Sequence, residues 1–148
     1  MDIQSLQLTQ VDRAVNHVSF SPRPPSGWVQ AIRTALGMTT RQLAARVGVG
    51  QSTLVALEKS EAHDKITLQS LRRIADALDC DLQYTLVPRS SLKRRVEERA
   101  EFVARNRVTR IWHSMLLEDQ APTAEVDEKE ISRIKKNLLE SRWKQLWD

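Results

Sequence analysis

The chain is poor in residues that cross-link or punctuate a fold. It has one cysteine, Cys80, in 148 residues. A lone thiol excludes an intrachain disulfide and a cysteine-built zinc cluster. Its place near the end of a helical pattern reads as structural. Four glycines and five prolines are few for a turn-rich sandwich and favour helices. No apolar run approaches the roughly 20 residues that span a bilayer. The N-terminal MDIQSLQLTQVDRAV has no positive region ahead of an apolar core, so no secretory signal is expected and the cytoplasm is the expected compartment. Enzyme signatures are missing too. His17, His63 and His113 lie far apart without metal spacing, and there is no HExxH, P-loop or dinucleotide glycine pattern. Neither catalysis nor a cofactor or metal is expected.

What is present suffices for a folded, modestly basic protein. Hydrophobic residues make up 41%, and the net charge of +4 permits a nucleic-acid partner without requiring one. The pattern divides the chain into residues 1–26, 27–88 and 89–148. In the first, Ile3, Leu6, Val11, Val15 and Val18 form an irregular helical stripe that ends before Ser21-Pro22-Arg23-Pro24-Pro25. Two readings stand for that helix, a packed element or a mobile arm.

The second region reads as helix, short helix, turn, short helix, loop and helix. The first helix covers about Ser26–Leu36, with Ser26 as cap and Trp28, Ile32 and Leu36 on one side. Thr67–Leu78 is the last, capped by Thr67. LQYTLV at 82–87 then alternates, placing Leu82, Tyr84 and Leu86 on one face, and predicts a short β-strand. A single strand cannot satisfy its own backbone. The same strand of a second copy across a two-fold axis would satisfy it, making Leu82, Tyr84 and Leu86 dimerisation residues. An added N-terminal strand and a plain extended linker are the alternatives.

Residues 89–118 read as a long charged helix with Leu92, Val96, Ala100, Val103, Val108, Trp112 and Met115 on its face. From Arg89 to Arg110 eight Arg or Lys stand against Glu97, Glu98 and Glu101, a balance of eight minus three or +5. This is either a phosphate-contacting helix or a solvated face with Glu97, Glu101 and Arg105 in local pairs. Glu118–Val126, with Pro122, breaks the pattern. A last helix over Asp127–Leu146 would complete an antiparallel hairpin. Trp112, Trp143 and Trp147 either fill its core or anchor a partner.

The most informative stretch is Met38–Glu58, MTTRQLAARVGVGQSTLVALE. Thr39 and Gln42 have capping-box spacing, Leu43, Ala44 and Val47 follow at helical spacing, and Gly48 ends the helix. A second helix carries Leu54 and Leu57 inside. Its other positions are small or amide-bearing, and side chains of that kind reach base edges when a helix enters the major groove. Gln51 can pair with adenine, Ser52 with several bases, and Ala56 can meet a thymine methyl. Thr53, Arg41, Lys59 and Lys65 suit phosphates, and Gly50 lets a DNA backbone approach. Glu58 is expected to tie the helices together through Arg46 or Arg41.

LGMTTRQLAARVGVGQSTLVALEKSE and ITLQSLRRIADALDCDLQYTLVP resemble the helix-turn-helix domain of phage-repressor and xenobiotic-response-element type regulators. The resemblance spans Gly27–Pro88. It implies that Gln42 touches phosphate, that Gln51–Ala56 read bases and that Glu58 is a structural acid. The usual Ser or Thr before Gln51 is Gly50 here. The whole chain is also similar to a narrower family, mobile mystery protein A, in WVQAIRTALGMTTRQLAARVGV and the ending through Pro88. Members are commonly associated with a Fic-domain protein, which implies an antitoxin-like partnership. The Ser/Thr-x-x-x-Glu pattern of Fic-inhibiting helices is not evident.

Together these readings predict a mainly α protein. It has a five-helix-type repressor core with a short C-terminal β-strand and an added C-terminal helical hairpin. The expected function is that of a dimeric repressor of double-stranded DNA that regulates its own operon.

Overall fold

The computed structural model describes residues 3–19, 21–117, 124–141 and 143–148, leaving aside the side chains of 124–126. Seven α-helices are found among them: α1 Ile3–Asn16, α2 Trp28–Ala35, α3 Thr40–Val47, α4 Gln51–Ala62, α5 Leu68–Ala77, α6 Leu92–Leu116 and α7 Ala124–Glu140. A short 3-10 helix, Trp143–Leu146, follows. None of the described helices is long and apolar enough to cross a membrane. The chain forms two compact units, Ser19–Thr85 and Met1–Val18 with Leu86–Asp148.

The Ser19–Thr85 unit is built from α2 to α5 around Val29, Leu43, Ala44, Val47, Leu54, Ile74 and Leu78. Local signals set most of its boundaries. Thr39 accepts from the Gln42 amide while Gln42 Oε1 accepts from the Thr39 amide, so the capping box is formed. Gly48, at φ 79°, closes α3 in the left-handed conformation that favours glycine. Thr67 caps α5 by accepting from the Ser70 amide. Gly50 precedes α4 without any side-chain cap.

Three details of this unit differ from the sequence-based expectation. Ser26 does not cap α2; the N-cap is Gly27, and a distant carboxylate takes over the capping. Leu36 and Trp28 stay 56% and 42% exposed, because α2 turns Val29 rather than Trp28 into the core. Four helices are present rather than five, and residues 82–87 form no β-strand; none occurs among the described residues. The alternation at Leu82, Tyr84 and Leu86 is real, but strand formation needs a neighbouring strand to take its N–H and C=O groups, and none is beside it.

In the other unit, α6 and α7 run antiparallel. Arg105 meets Glu128 at 3.2 Å and Glu101 meets Lys135 at 3.1 Å. Val96, Ala100, Ala104, Val108, Ile131, Leu138 and Leu146 are buried together, and Trp112 and Trp143 pack on them. Trp147 is 54% exposed and does not join that core. α1 packs on α6: Asp12 accepts from the Leu92 and Lys93 amides, capping the first turn beside the local cap Ser91. The expected break over Glu118–Val126 lies outside the described residues up to 123. The expected single helix over 127–146 is instead α7 and a separate 3-10 turn.

Candidate DNA interface

The turn between α3 and α4 places two short helices side by side and leaves one of them to face outward. Along α4 the core side is fixed by Leu54, Glu58 and Glu61, which are buried, and by Leu57, which packs against the core. At 100° per residue, Ser52, Ala56 and Lys59 fall within about 60° of arc on the opposite side. All three are exposed, as are Gln51 and Thr53. Among the described residues nothing packs over Gln51 and Ser52, the condition a base-reading role requires.

The start of α4 is open chemically as well as sterically. The amides of Gln51, Ser52 and Thr53 have no intrahelical acceptor, as in any first turn, and Gly50 offers no side chain to take them. Gly50 is not required by backbone strain, since its φ is −69°. A Cβ there would meet only ordinary contacts, Thr53 Oγ1 at 3.9 Å and Ser52 Oγ at 4.0 Å. Its missing side chain therefore leaves space before a positive helix end, the arrangement that accepts phosphate.

Neighbouring groups fix the polar side chains. Gln51 Nε2 donates to Thr40 Oγ1 at 2.9 Å, which leaves the amide oxygen and the second N–H available. Gln42 uses its oxygen in the capping box; its Nε2 makes no hydrogen bond among the described residues. Arg41, Lys59 and Lys65 are exposed and form no ion pair among the described residues.

Glu58 is 6% exposed, but its partner is Arg33 of α2 rather than Arg46 or Arg41. Arg33 Nε donates to Oε1 at 2.6 Å and Nη2 to Oε2 at 3.2 Å, while Nη1 donates to the Met38 carbonyl at 2.9 Å. Arg41 and Arg46 point to solvent because the buried face of α3 is taken by Leu43, Ala44 and Val47. Sequence reasoning also missed Thr40, Glu61, Gly27 and Arg23. Their partners lie 11 to 41 positions away, so no local spacing announces them.

On α6, several expected phosphate ligands are already engaged. Arg94 pairs with Glu98, and Arg105 pairs with Glu101 and Glu128. Arg99 donates to the Leu146 carbonyl and lies 5.1 Å from the Phe102 ring and 5.9 Å from the Trp147 ring. Arg89, Lys93, Arg95, Arg107 and Arg110 form no ion pair among the described residues.

Two helices joined by a tight turn, the second outward-facing and lined with small polar side chains, define a helix-turn-helix DNA-binding module. Residues 29–84 match the profile of the helix-turn-helix family. This segment is a helix-turn-helix DNA-binding domain, and domains of that family are regulatory modules rather than catalytic ones. No curated protein and no solved structure matches the chain.

Proposed function

We propose that the protein is a transcriptional repressor that recognises one duplex sequence as a homodimer and represses its own operon. The observation that carries this reading is the exposed row Gln51, Ser52 and Ala56 at the open start of α4, flanked by Arg41, Gln42, Thr53, Lys59 and Lys65. In the proposed complex Gln51 and Ser52 read base edges and Ala56 meets a thymine methyl. Gln42, Arg41, Gly50, Thr53, Lys59 and Lys65 serve phosphates. Repression follows from occupancy, so no catalytic step is needed.

The proposed dimer uses Leu82, Tyr84 and Leu86. Tyr84 is 66% exposed and Leu86 87%, and the burial of such side chains favours association. Two copies would present their α4 helices to successive major grooves, about one helical turn apart.

The test is selection of bound duplexes from a random pool, followed by fluorescence anisotropy on the winner. Recovery of an inverted repeat supports the dimer reading. Gln51→Ala should reduce preference for that duplex over scrambled DNA by roughly 5- to 150-fold, the range of about 1–3 kcal/mol for a bidentate base contact. Arg41→Ala should weaken both duplexes alike. Equal losses for Gln51→Ala on both would reject base reading.

A second reading, restraint of a Fic-domain partner, rests on the narrower resemblance. It is favoured by the apolar side chains that the α1–α6–α7 unit leaves exposed, among them Ile3, Leu6, Ile111, Leu116 and Leu117. Co-purification of such a partner with the full chain, and its loss on truncation of residues 89–148, would support this role.

A further inference from the structure

We propose that Glu61 and Arg23 are positioning residues that set operator specificity by anchoring the end of α4 remote from the bases. This rests on the DNA-reading role proposed above for the opposite end of the same helix.

Glu61 is 3% exposed, and its carboxylate accepts from the Trp28 amide at 2.7 Å and the Val29 amide at 3.0 Å. One side chain of α4 thus supplies the N-terminal cap of α2. Gly27 makes room for it. A Cβ at residue 27 would stand 2.6 Å from Glu61 Oε2, and the φ of 88° there is also one that favours glycine. Position 27 is therefore glycine for two independent reasons, and both serve the contact with α4.

Arg23 closes the same end from outside. Its Nη1 donates to the Glu61 carbonyl and its Nη2 to the Ala62 carbonyl at 3.3 Å, taking two of the last acceptors that a helix leaves open. A cation at a helix C-terminus is also favoured by the helix dipole. Asp64, turned by a left-handed φ of 59°, pairs with Arg23 at 2.7 Å. Arg23 and Gly27 both precede the residues that match the family profile, so the reading unit extends upstream of it.

The distribution of these ties along α4 gives them their consequence. Glu58, Glu61 and the terminal carbonyls hold its C-terminal half by polar contacts, whereas among the described residues the first turn is held by the buried Leu54 and by one side-chain hydrogen bond, from Gln51 to Thr40. Ser52 lies nine residues from Glu61, about 13.5 Å along the axis. Without that anchorage α4 can pivot about the buried Leu54, and a tilt of about 10° there would move the Ser52 backbone, about 3 Å along the axis, by about 0.5 Å, whereas hydrogen bonds tolerate only a few tenths of an ångström. Anchorage at Glu61 and Arg23 therefore decides whether the same side chains meet the same bases.

The test uses the full chain with Glu61→Gln, Arg23→Ala, Arg23→Lys and, as a control, Thr67→Ala. Thr67→Ala removes the α5 cap and lowers stability without touching α4. Binding to the selected duplex and to a scrambled one is measured well below each melting temperature. The expected result is a loss of at least ~10-fold in their affinity ratio for Glu61→Gln and Arg23→Ala, with scrambled binding held within ~2-fold. Arg23→Lys should recover part of the loss, and Thr67→Ala should keep the ratio. Ratios that stay at the wild-type value in Glu61→Gln and Arg23→Ala would overturn the proposal.

A second readout needs no DNA. The NMR signals of the Gln51 side-chain amide should shift in Glu61→Gln and Arg23→Ala and stay in place in Thr67→Ala. Unmoved signals in the first two also overturn the proposal. A wild-type protein that enriches no duplex defeats the DNA-reading function instead, and the positioning role is then decided by this second readout.

Discussion

Removing Glu58 should be among the most damaging single changes in the Ser19–Thr85 unit. Glu58→Met keeps the side-chain volume roughly constant and strands Arg33, whose side chain is only 12% exposed. Breaking a buried pair from one side costs about 3–5 kcal/mol, because a desolvated charge is left without its partner. The lower end applies here. Arg33 keeps its bond to the Met38 carbonyl, and its residual exposure admits some water. A loss of about 3 kcal/mol corresponds to roughly 12–24 °C in melting temperature for a unit of this size. Arg33→Met should cost a similar amount by stranding Glu58. The double variant Arg33→Met/Glu58→Met should recover most of the loss, since a well-packed apolar pair avoids both desolvation penalties. Urea unfolding followed by circular dichroism gives the total. Hydrogen exchange at the amides of Leu54 and Ile74, both fully buried, assigns the loss to this unit. A single-variant loss below about 1 kcal/mol would mean that the pair behaves like a surface bridge. A double variant as unstable as the two singles combined would mean that they do not act as a pair.

Other changes should be smaller and equally readable. Thr39→Ala removes the α3 cap and should cost about 1 kcal/mol in a thermal melt, with Thr39→Ser restoring most of it. Hydrogen bonds from Lys135 and Arg105 hold the Glu101 carboxyl below its ordinary value near 4.5. The unfolded chain therefore takes up that proton at higher pH than the native one does. The support Glu101 gives the α6–α7 pair is complete above about pH 4.5 and fades as the pH falls through the lowered native value. Melts of wild type and Glu101→Gln across that range should converge toward acid; divergence there would reverse the sign. Tyr84→Ser with Leu86→Ser should shift sedimentation toward monomer, and a wild type already monomeric at micromolar concentration would remove the dimer from the proposed function.

Short-range chemistry is legible in the sequence alone. The caps at Thr39 and Thr67, the stop at Gly48, and the burial of Leu43, Ala44, Val47 and Leu54 each depend on residues within one or two helical turns. So does the exposure of Ser52 and Ala56, because a 3.6-residue period places them away from Leu54 and Leu57 once the helix exists; Gln51, three residues before Leu54, is exposed as the first residue of the helix.

Tertiary structure decided what depends on which helix lies against which. Glu58 had acceptable arginines nearby in sequence, yet the one that reaches it is Arg33, 25 positions upstream on the helix that α4 packs against. Ser26 had the chemistry of a cap, but Glu61 arrived from 33 positions away and took the amides of Trp28 and Val29. Residues 82–87 had the alternation of a strand and lacked a neighbour. A helix closes its hydrogen bonds within its own segment, so sequence can determine it locally. A strand, an ion pair between helices or a borrowed cap exists only when another part of the structure supplies the second half.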